Sequence, residues 1–355
     1  MEKKETTISR IKEIWSSAFW YKEADRIELA YWESIKHLLP DTPPPAGVAP
    51  PTEHKTEKFI RHLSRCTGIG NLHTGLTSSD IEDNVRIKRL SASMDVADEA
   101  IFHLLGTLVN MDDVTLLAYT HLIPAGGIML SERLRPSIMA ASSYPWPLIK
   151  YKGMGGSLGK GHIQQLIGKD RYKISNEVFP AEMTQTFSSQ TVDHRTEFLV
   201  ASWLSFQASI LAKIANDFRM MFALGQAVHT QKDIGSTAIA GKNPNPWRFE
   251  RVSGKAPLLY GLPGEISRIA ADCLLERTLT NQSALDYLFE NAFPLFVDLV
   301  FSLSEAVKMT KVIDQSAECK KDKYHTEEQV LRLIKKGMPR ETAHLKINKK
   351  YATKK

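Results

Sequence analysis

An all-α protein is predicted, with an elongated central bundle of long helices and small helical domains at the N- and C-terminal ends. Three observations predict it. Apolar residues recur every three to five positions over stretches of about thirty residues, strand-like alternation is nearly absent, and few capping signals interrupt the long stretches.

Ile8, Ile11, Trp15, Phe19, Ile27, Tyr31 and Leu38 fall at helical spacing, which predicts one helix over 8–39. The proline-rich DTPPPAGVAPP at 41–51 ends it as a stiff connector. A short helix over 53–66 leads into TGIGNLHTGLTSSD (67–80), a glycine-rich turn. There Thr77, Ser78 and Ser79 suit an N-cap, and Asp80 and Glu82 suit a first helical turn. Ile81, Val85, Leu90, Met94, Ala97, Ile101, Leu104 and Leu108 then mark a long amphipathic helix ending near 111. VTLLAYTHLIPAGG reads as an extended entry to a helix over about 128–150, which puts His121 near a helix start. GMGGSLGKG (153–161) is a glycine-rich loop, and 162–193 reads as mixed short elements. A second long helix covers 197–228, a further helix begins near 264, and a third long one covers 282–312 with a kink at Pro294. The tail gives one helix, a Gly337-Met338-Pro339 turn and a partial second helix. Three domains are expected: 1–77, 78–313 and 314–355.

Composition narrows the setting. With 43% hydrophobic and 24% charged residues, the 355-residue chain is ordinary for a soluble globular protein. Its 46 Lys and Arg against 40 Asp and Glu leave a net charge of +6, and part of that excess is a lysine-rich tail of the kind that is simply solvated. No nucleic-acid partner is therefore expected. Three cysteines, odd in number and far apart, lack disulfide or zinc-ligand spacing and suit a reducing compartment. No uninterrupted apolar run reaches the ~18 residues of a membrane span, and MEKKETTISR lacks a secretory apolar core. A cytoplasmic protein with no membrane partner is expected. Long helices with apolar faces exceed what one copy covers, so a homo-oligomer is expected.

The stretch 232–254, KDIGSTAIAGKNPNPWRFERVSG, interrupts the helical pattern with Gly235, Gly241, two Asn-Pro pairs and Glu250-Arg251. A loop of this length inside a helical protein reads as a hinged lid over a site. It resembles the signature loop of the fumarase/aspartase superfamily: Gly235, Ser236, Lys242, Asn245 and Pro246 match, with one residue inserted between Lys242 and Asn245. Glu53-His54-Lys55, NLHTGLTSSDIEDN (71–84), YTHLIPA (119–125) and LLERTL (274–279) resemble the adenylosuccinate lyase family within that superfamily, in its order and at about its spacing. GMGGSLG and Gln190-Thr191 resemble further family segments.

The resemblance implies a β-elimination that releases fumarate from an anionic succinyl nucleotide, without metal or cofactor, in a homotetramer whose active sites are composite. Its intermediate is a carbanion spread into a carboxylate, which needs preorganised donors, a cation and the exclusion of water. By resemblance Ser236 is the general base, Lys242 stabilises its oxyanion, and His121 is the general acid, paired with Glu250. An imidazole titrating near ~6.5 is a usable acid near neutrality. His54 and His73 would line the nucleotide pocket, with Thr120 and Asn245 also touching substrate. Thr77 and Ser78 would offer N–H groups at a helix N-terminus to an anion. Gln190 resembles an amide contact, and Arg251 and Arg277 resemble residues that hold carboxylate or phosphate. The family's Gln two positions after the acid is Ile123 here, a phosphate-side Arg is replaced by Asp286, and the C-terminal domain is short. Asp286 is expected to repel a 5′-phosphate unless another cation compensates, which would alter phosphate recognition. A sister lyase acting on another succinyl compound, or a catalytically silent structural oligomer, stays open as an alternative.

Overall fold

The computed structural model describes residues 2–46, 51–185, 188–230, 244–272 and 279–352, the side chains of 279–282 and 352 excepted. The chain is all-α in its main architecture. In order it forms α1 (Glu2–Ile14), α2 (Ser17–Ile35), α3 (Lys55–Thr67), α4 (Ser78–Val109), β1 (Thr115–Thr120), β2 (Ile123–Met129), α5 (Leu130–Ser143), α6 (His162–Leu166) and α7 (Arg171–Val178). There follow α8 (Arg195–Ala223), β3 (Ala227–His229), α9 (Trp247–Lys255), α10 (Leu262–Ala271), α11 (Leu279–Lys308), β4 (Thr310–Val312), α12 (Ser316–Cys319), α13 (Thr326–Lys335) and α14 (Arg340–Ala352).

The three long helices form where the apolar spacing predicts them. In α4, Ile81, Val85, Leu90, Met94, Ala97, Ile101, Leu104 and Leu108 are all buried. Several boundaries differ from expectation: the helices expected over 197–228 and 282–312 stop at Ala223 and Lys308, ahead of β3 and β4, and the end of the expected 232–254 loop is helical from Trp247. The helix expected over 8–39 is two, because the Ser16 hydroxyl accepts the Phe19 N–H at 3.2 Å and starts α2 afresh. The helix expected to reach 150 ends at Ser143, since Pro145 and Pro147 deny the next turns their N–H donors. Pro294 is contained within α11.

The extended entry is instead a β-hairpin. β1 pairs antiparallel with β2 from Thr115↔Met129 to Thr120↔Ile123, with an irregularity at Ala118/Tyr119. His121 and Leu122 form its two-residue turn, both at positive φ (49° and 61°), as a type I′ connection requires. β3 and β4 make a second short antiparallel ribbon.

The described chain divides into two compact units. The first comprises 1–102, 144–209 and 255–301; the second comprises 103–143, 210–254 and 302–355. The first unit's core is aromatic: Trp20 meets Phe59 edge-on at 5.4 Å, Tyr151 stacks on Phe179 at 4.4 Å, and Trp203 packs with Phe296 at 5.5 Å. In the second, Phe218 stacks on Phe249 at 5.0 Å. There the Gln226 amide donates at 2.8 Å to the Leu117 carbonyl and to the Gln315 side chain, tying the hairpin to β3 and α12. Cys319 is buried against the same hairpin, its Sγ 3.6 Å from the Leu116 carbonyl, and burial pushes its thiol pKa up. Windows within α8 and α11 are long and apolar enough to cross a membrane by length and composition, and 61% of each window is buried in the fold.

Candidate active site

In the first unit, the segments singled out from the sequence gather around the start of α4. Asp80, in the first turn, has a fully buried carboxylate that accepts four donors. They are Lys152 Nζ at 2.6 Å and the N–H groups of Thr77 (2.9 Å), Gly155 (3.0 Å) and Gly156 (2.9 Å). Asp80 therefore takes up the Thr77 N–H, expected to be open to an anion, while clamping the glycine loop 153–161. Asn84 extends the clamp through the N–H and carbonyl of Gly153 at 3.3 and 3.0 Å. Gly156, at φ 68°, lies so close to the Gly75 carbonyl that a Cβ would sit 2.7 Å from its oxygen, so no side chain fits. The Ser79 hydroxyl donates to the Gln190 carbonyl, which brings the Gln190 segment to the start of α4 beside Thr77 and Ser78.

His73 is fixed by one carboxylate. Glu28, fully buried on α2, accepts the His73 backbone N–H and stands 3.0 Å from Nδ1. A carboxylate accepts only, so Nδ1 carries a proton and Nε2 is the nitrogen left for other chemistry. The residue holds a positive φ of 64°, a conformation that neighbouring contacts must enforce. Tyr31, whose phenol donates to the Thr74 carbonyl at 2.7 Å, has its pKa raised by burial and stays protonated.

His54 is the N-cap of α3: its Nδ1 accepts the Glu57 N–H at 3.4 Å. It also lines a cavity of about 430 Å³ with Trp20, Lys55, Arg86, Arg89 and Asp286. Asp286 does not stand there as a lone repelling charge. It accepts Arg86 Nε at 2.7 Å, and Arg89 Nη1 lies 3.8 Å from its other oxygen. Asp83 and Glu197 flank the same Arg86 at 3.3 and 3.8 Å. Burial opposes the Arg86 charge, and Asp286, then Asp83 and Glu197, outweigh it, so the guanidinium pKa is raised. Glu197 in turn is 3.3 Å from His194 Nδ1; burial works against its carboxylate, yet hydrogen bonding and charge from His194 with Arg86 hold its pKa below the ordinary range.

The second unit holds the hairpin and the segment that follows the signature loop. Ser236 and Lys242 lie outside the described residues, as does Arg277. Asn245, Pro246 and Glu250 border a cavity of about 740 Å³ with Asn216, Arg219 and Phe222 from the end of α8. His229 Nε2 donates to the Asn245 carbonyl at 3.2 Å, and Ser253 donates to Asn216 Oδ1 at 3.0 Å, as does Arg219 at 2.9 Å. Arg251 is exposed one position beyond Glu250.

Thr120 and His121 are exposed at the hairpin tip, with Leu122 and Ile123 beside them. His121 thus occupies a strand turn rather than a helix start, and does not line the Glu250 cavity. No ion pair joins His121 to Glu250 within one chain among the described residues. No group of three His, Cys, Asp or Glu side chains that could hold a metal is present among the described residues.

Sequence reasoning gave Lys55 no role of its own and missed Glu28, Arg86, Arg89 and Lys152. Arg86 and Arg89 carry a readable signal: two arginines one helical turn apart, both within an otherwise apolar repeat, are too costly to bury without partners.

The fold is that of a fumarate lyase. The crystal structure of fumarate lyase from Mesorhizobium sp. BNC1 superposes with a TM-score of 0.69 at 15% identity, over 96% of this chain and 84% of that one. By sequence the chain is 24% identical to adenylosuccinate lyase of Archaeoglobus fulgidus, over 94% of this chain and 82% of the relative. It is also 24% identical over 307 residues to adenylosuccinate lyase of Caenorhabditis briggsae, which spans 80% of this chain and 64% of the relative. No family model matches the chain. Fold and sequence relatives together support the fumarase/aspartase superfamily for this chain.

Proposed function

We propose that this chain is a carbon–nitrogen lyase that releases fumarate from a succinyl-substituted amine, acting on adenylosuccinate in AMP and purine nucleotide biosynthesis. The observation that carries the reading is its similarity to an adenylosuccinate lyase over 94% of the chain. Removal of a proton from the carbon beside the departing nitrogen's neighbour creates a carbanion stabilised by the adjacent carboxylate. The C–N bond then breaks, its electron pair leaves with nitrogen, and fumarate forms. In this reading Ser236 takes the carbon-bound proton, Lys242 and loop amides stabilise the charge, and His121 protonates the nitrogen. Glu250 sustains the imidazolium. His73, Thr77, Ser78 and Gln190 position the substrate, with Thr120, Asn245, Arg251 and Arg277 completing the contacts; His54 serves the nucleotide end.

His121 sits exposed at a hairpin tip, and this supports active sites assembled from several copies of the chain, in a cytoplasmic homotetramer. The test is an absorbance assay on adenylosuccinate with wild type, Ser236→Ala and His121→Ala. Turnover by wild type and at least ~100-fold loss in either variant is the expected result, as for loss of a general acid or base. Equal rates in all three sink the reading. For composite sites, mixing the two inactive variants restores part of the activity; an inactive mixture from subunits shown to exchange sinks that part.

A further inference from the structure

The positive charge of the chain is concentrated in one stretch. Residues 329–355 hold nine Lys and Arg against one Glu, a surplus of eight in a chain of net charge +6, so the other 328 residues sum to −2. An unfolded lysine-rich tail is simply solvated, which is the expectation from sequence, but six of these nine cations stand within α13 and α14. The two helices form a hairpin with a core of its own: Val330, Ala343 and Ile347 are buried, and Leu333, Ile334, Met338 and Tyr351 pack against them. Its turn is fixed locally. Gly337 takes φ 89°, its N–H donates to the Ile334 carbonyl at 2.9 Å, the Met338 N–H donates to the Leu333 carbonyl at 3.1 Å, and Pro339 follows. On this frame Lys335, Lys336, Arg340 and Lys346 are exposed and enter no ion pair among the described residues. Helical spacing also sets like charges beside one another, Arg332 three positions before Lys335 and Lys346 four before Lys350, and such pairs oppose the helix until a counter-charge arrives.

We propose that the α13–α14 hairpin docks the phosphodiester backbone of a nucleic-acid strand. Lys and Arg that neutralise phosphates release condensed counterions, and that release supplies essentially all of sequence-independent affinity. Two other acidic partners fit the hairpin less well. A lipid surface takes an amphipathic helix by its apolar face, and here that face is occupied by the facing helix, with Leu331 and Leu345 exposed outside it. An acidic protein surface selects against lysine, which is depleted from protein interfaces. Contacts to phosphate carry no sequence information, so the hairpin reads charge and not bases. This surface stands apart from the lyase reading, and its test needs no turnover.

Fluorescence anisotropy of end-labelled oligouridylate and oligothymidylate of about 20 nucleotides, titrated with the full chain from about 50 to 200 mM salt, tests the proposal. Wild type is expected to bind both strands, with an affinity that falls steeply as salt rises. The fourfold variant Lys335→Gln, Lys336→Gln, Arg340→Gln and Lys346→Gln is expected to bind at least about tenfold more weakly at the low-salt end. Its log–log salt slope is expected to be shallower by about 0.7 for each neutralised cation that touches a phosphate. Wild type that binds neither strand at low salt overturns the proposal, as does a folded variant with unchanged affinity and slope. Displacement of the strand by phosphatidylserine vesicles, or by polyglutamate at equal charge, overturns it in favour of a lipid or an acidic protein. If the fourfold variant loses its melting transition, Lys346→Gln alone is read for the same change, and an unchanged slope there overturns the proposal.

Discussion

Lys152 donates from Nζ to Asp80 Oδ1 at 2.6 Å with both side chains removed from solvent, and the same carboxylate holds the N–H groups of Gly155 and Gly156. The pair welds the glycine loop to the first turn of α4. Breaking one partner strands a buried charge. Asp80→Ala is therefore expected to cost ~3 kcal/mol or more in denaturant unfolding, and Lys152→Met on top of it to recover part of the loss. Additive losses in that double-mutant cycle would contradict the coupling.

Glu28→Gln keeps the shape of the His73 partner and removes its charge. An amide presents either an oxygen or an NH2 group to Nδ1, so the ring loses its fixed tautomer. On the proposed role of His73 in positioning substrate and the proposed adenylosuccinate activity, kcat/KM is expected to fall about tenfold or more while the melting temperature moves by only a few degrees. A melting temperature that collapses together with activity would instead assign Glu28 to the core alone.

Glu197 gives the first unit an acid-sensitive joint. Its folded pKa lies below the ordinary value, so its contribution to stability is fully present above the unfolded carboxylate pKa of ~4.3 and is lost as pH falls through the folded value. Unfolding free energy measured from pH 6 downward is expected to decline over that window. In Glu197→Gln the decline is expected to be shallower and to start from a lower plateau. Parallel curves for the two proteins would remove Glu197 from the account.

Leu122 sits at φ 61° and is 70% exposed, so its side chain gives little back for a left-handed backbone. Leu122→Gly is expected to stabilise the chain by up to about 1 kcal/mol in thermal unfolding. A destabilised variant would mean that Leu122 is covered, by a second copy of the chain or otherwise.

The long helices were legible because their apolar spacing persists over seven or more turns, and an error of one residue does not erase it. The hairpin was not. LLAYT and IPAGGIM lack clean alternation, Gly126 and Gly127 sit inside β2, and the turn is His-Leu rather than a glycine pair. The α1–α2 break was hidden because Ser16 caps a helix within an unbroken apolar rhythm. Within the candidate site, Asp80 was readable as a first-turn residue, but its lysine lies 72 positions away, and nothing local announces it. Asp286 was legible as an acidic residue where the resembled family carries an arginine, but the compensating arginine it holds lies 200 positions away and nothing local announces it.

Cys319 turns the hairpin into something that can be timed. Its sulfur lies under the Leu116 carbonyl and against Gly127, shielded from solvent reagents by the ribbon that carries His121. Alkylation there has to wait until that ribbon lifts, so the labelling rate of one native sulfur clocks the opening of the strand pair without an added dye.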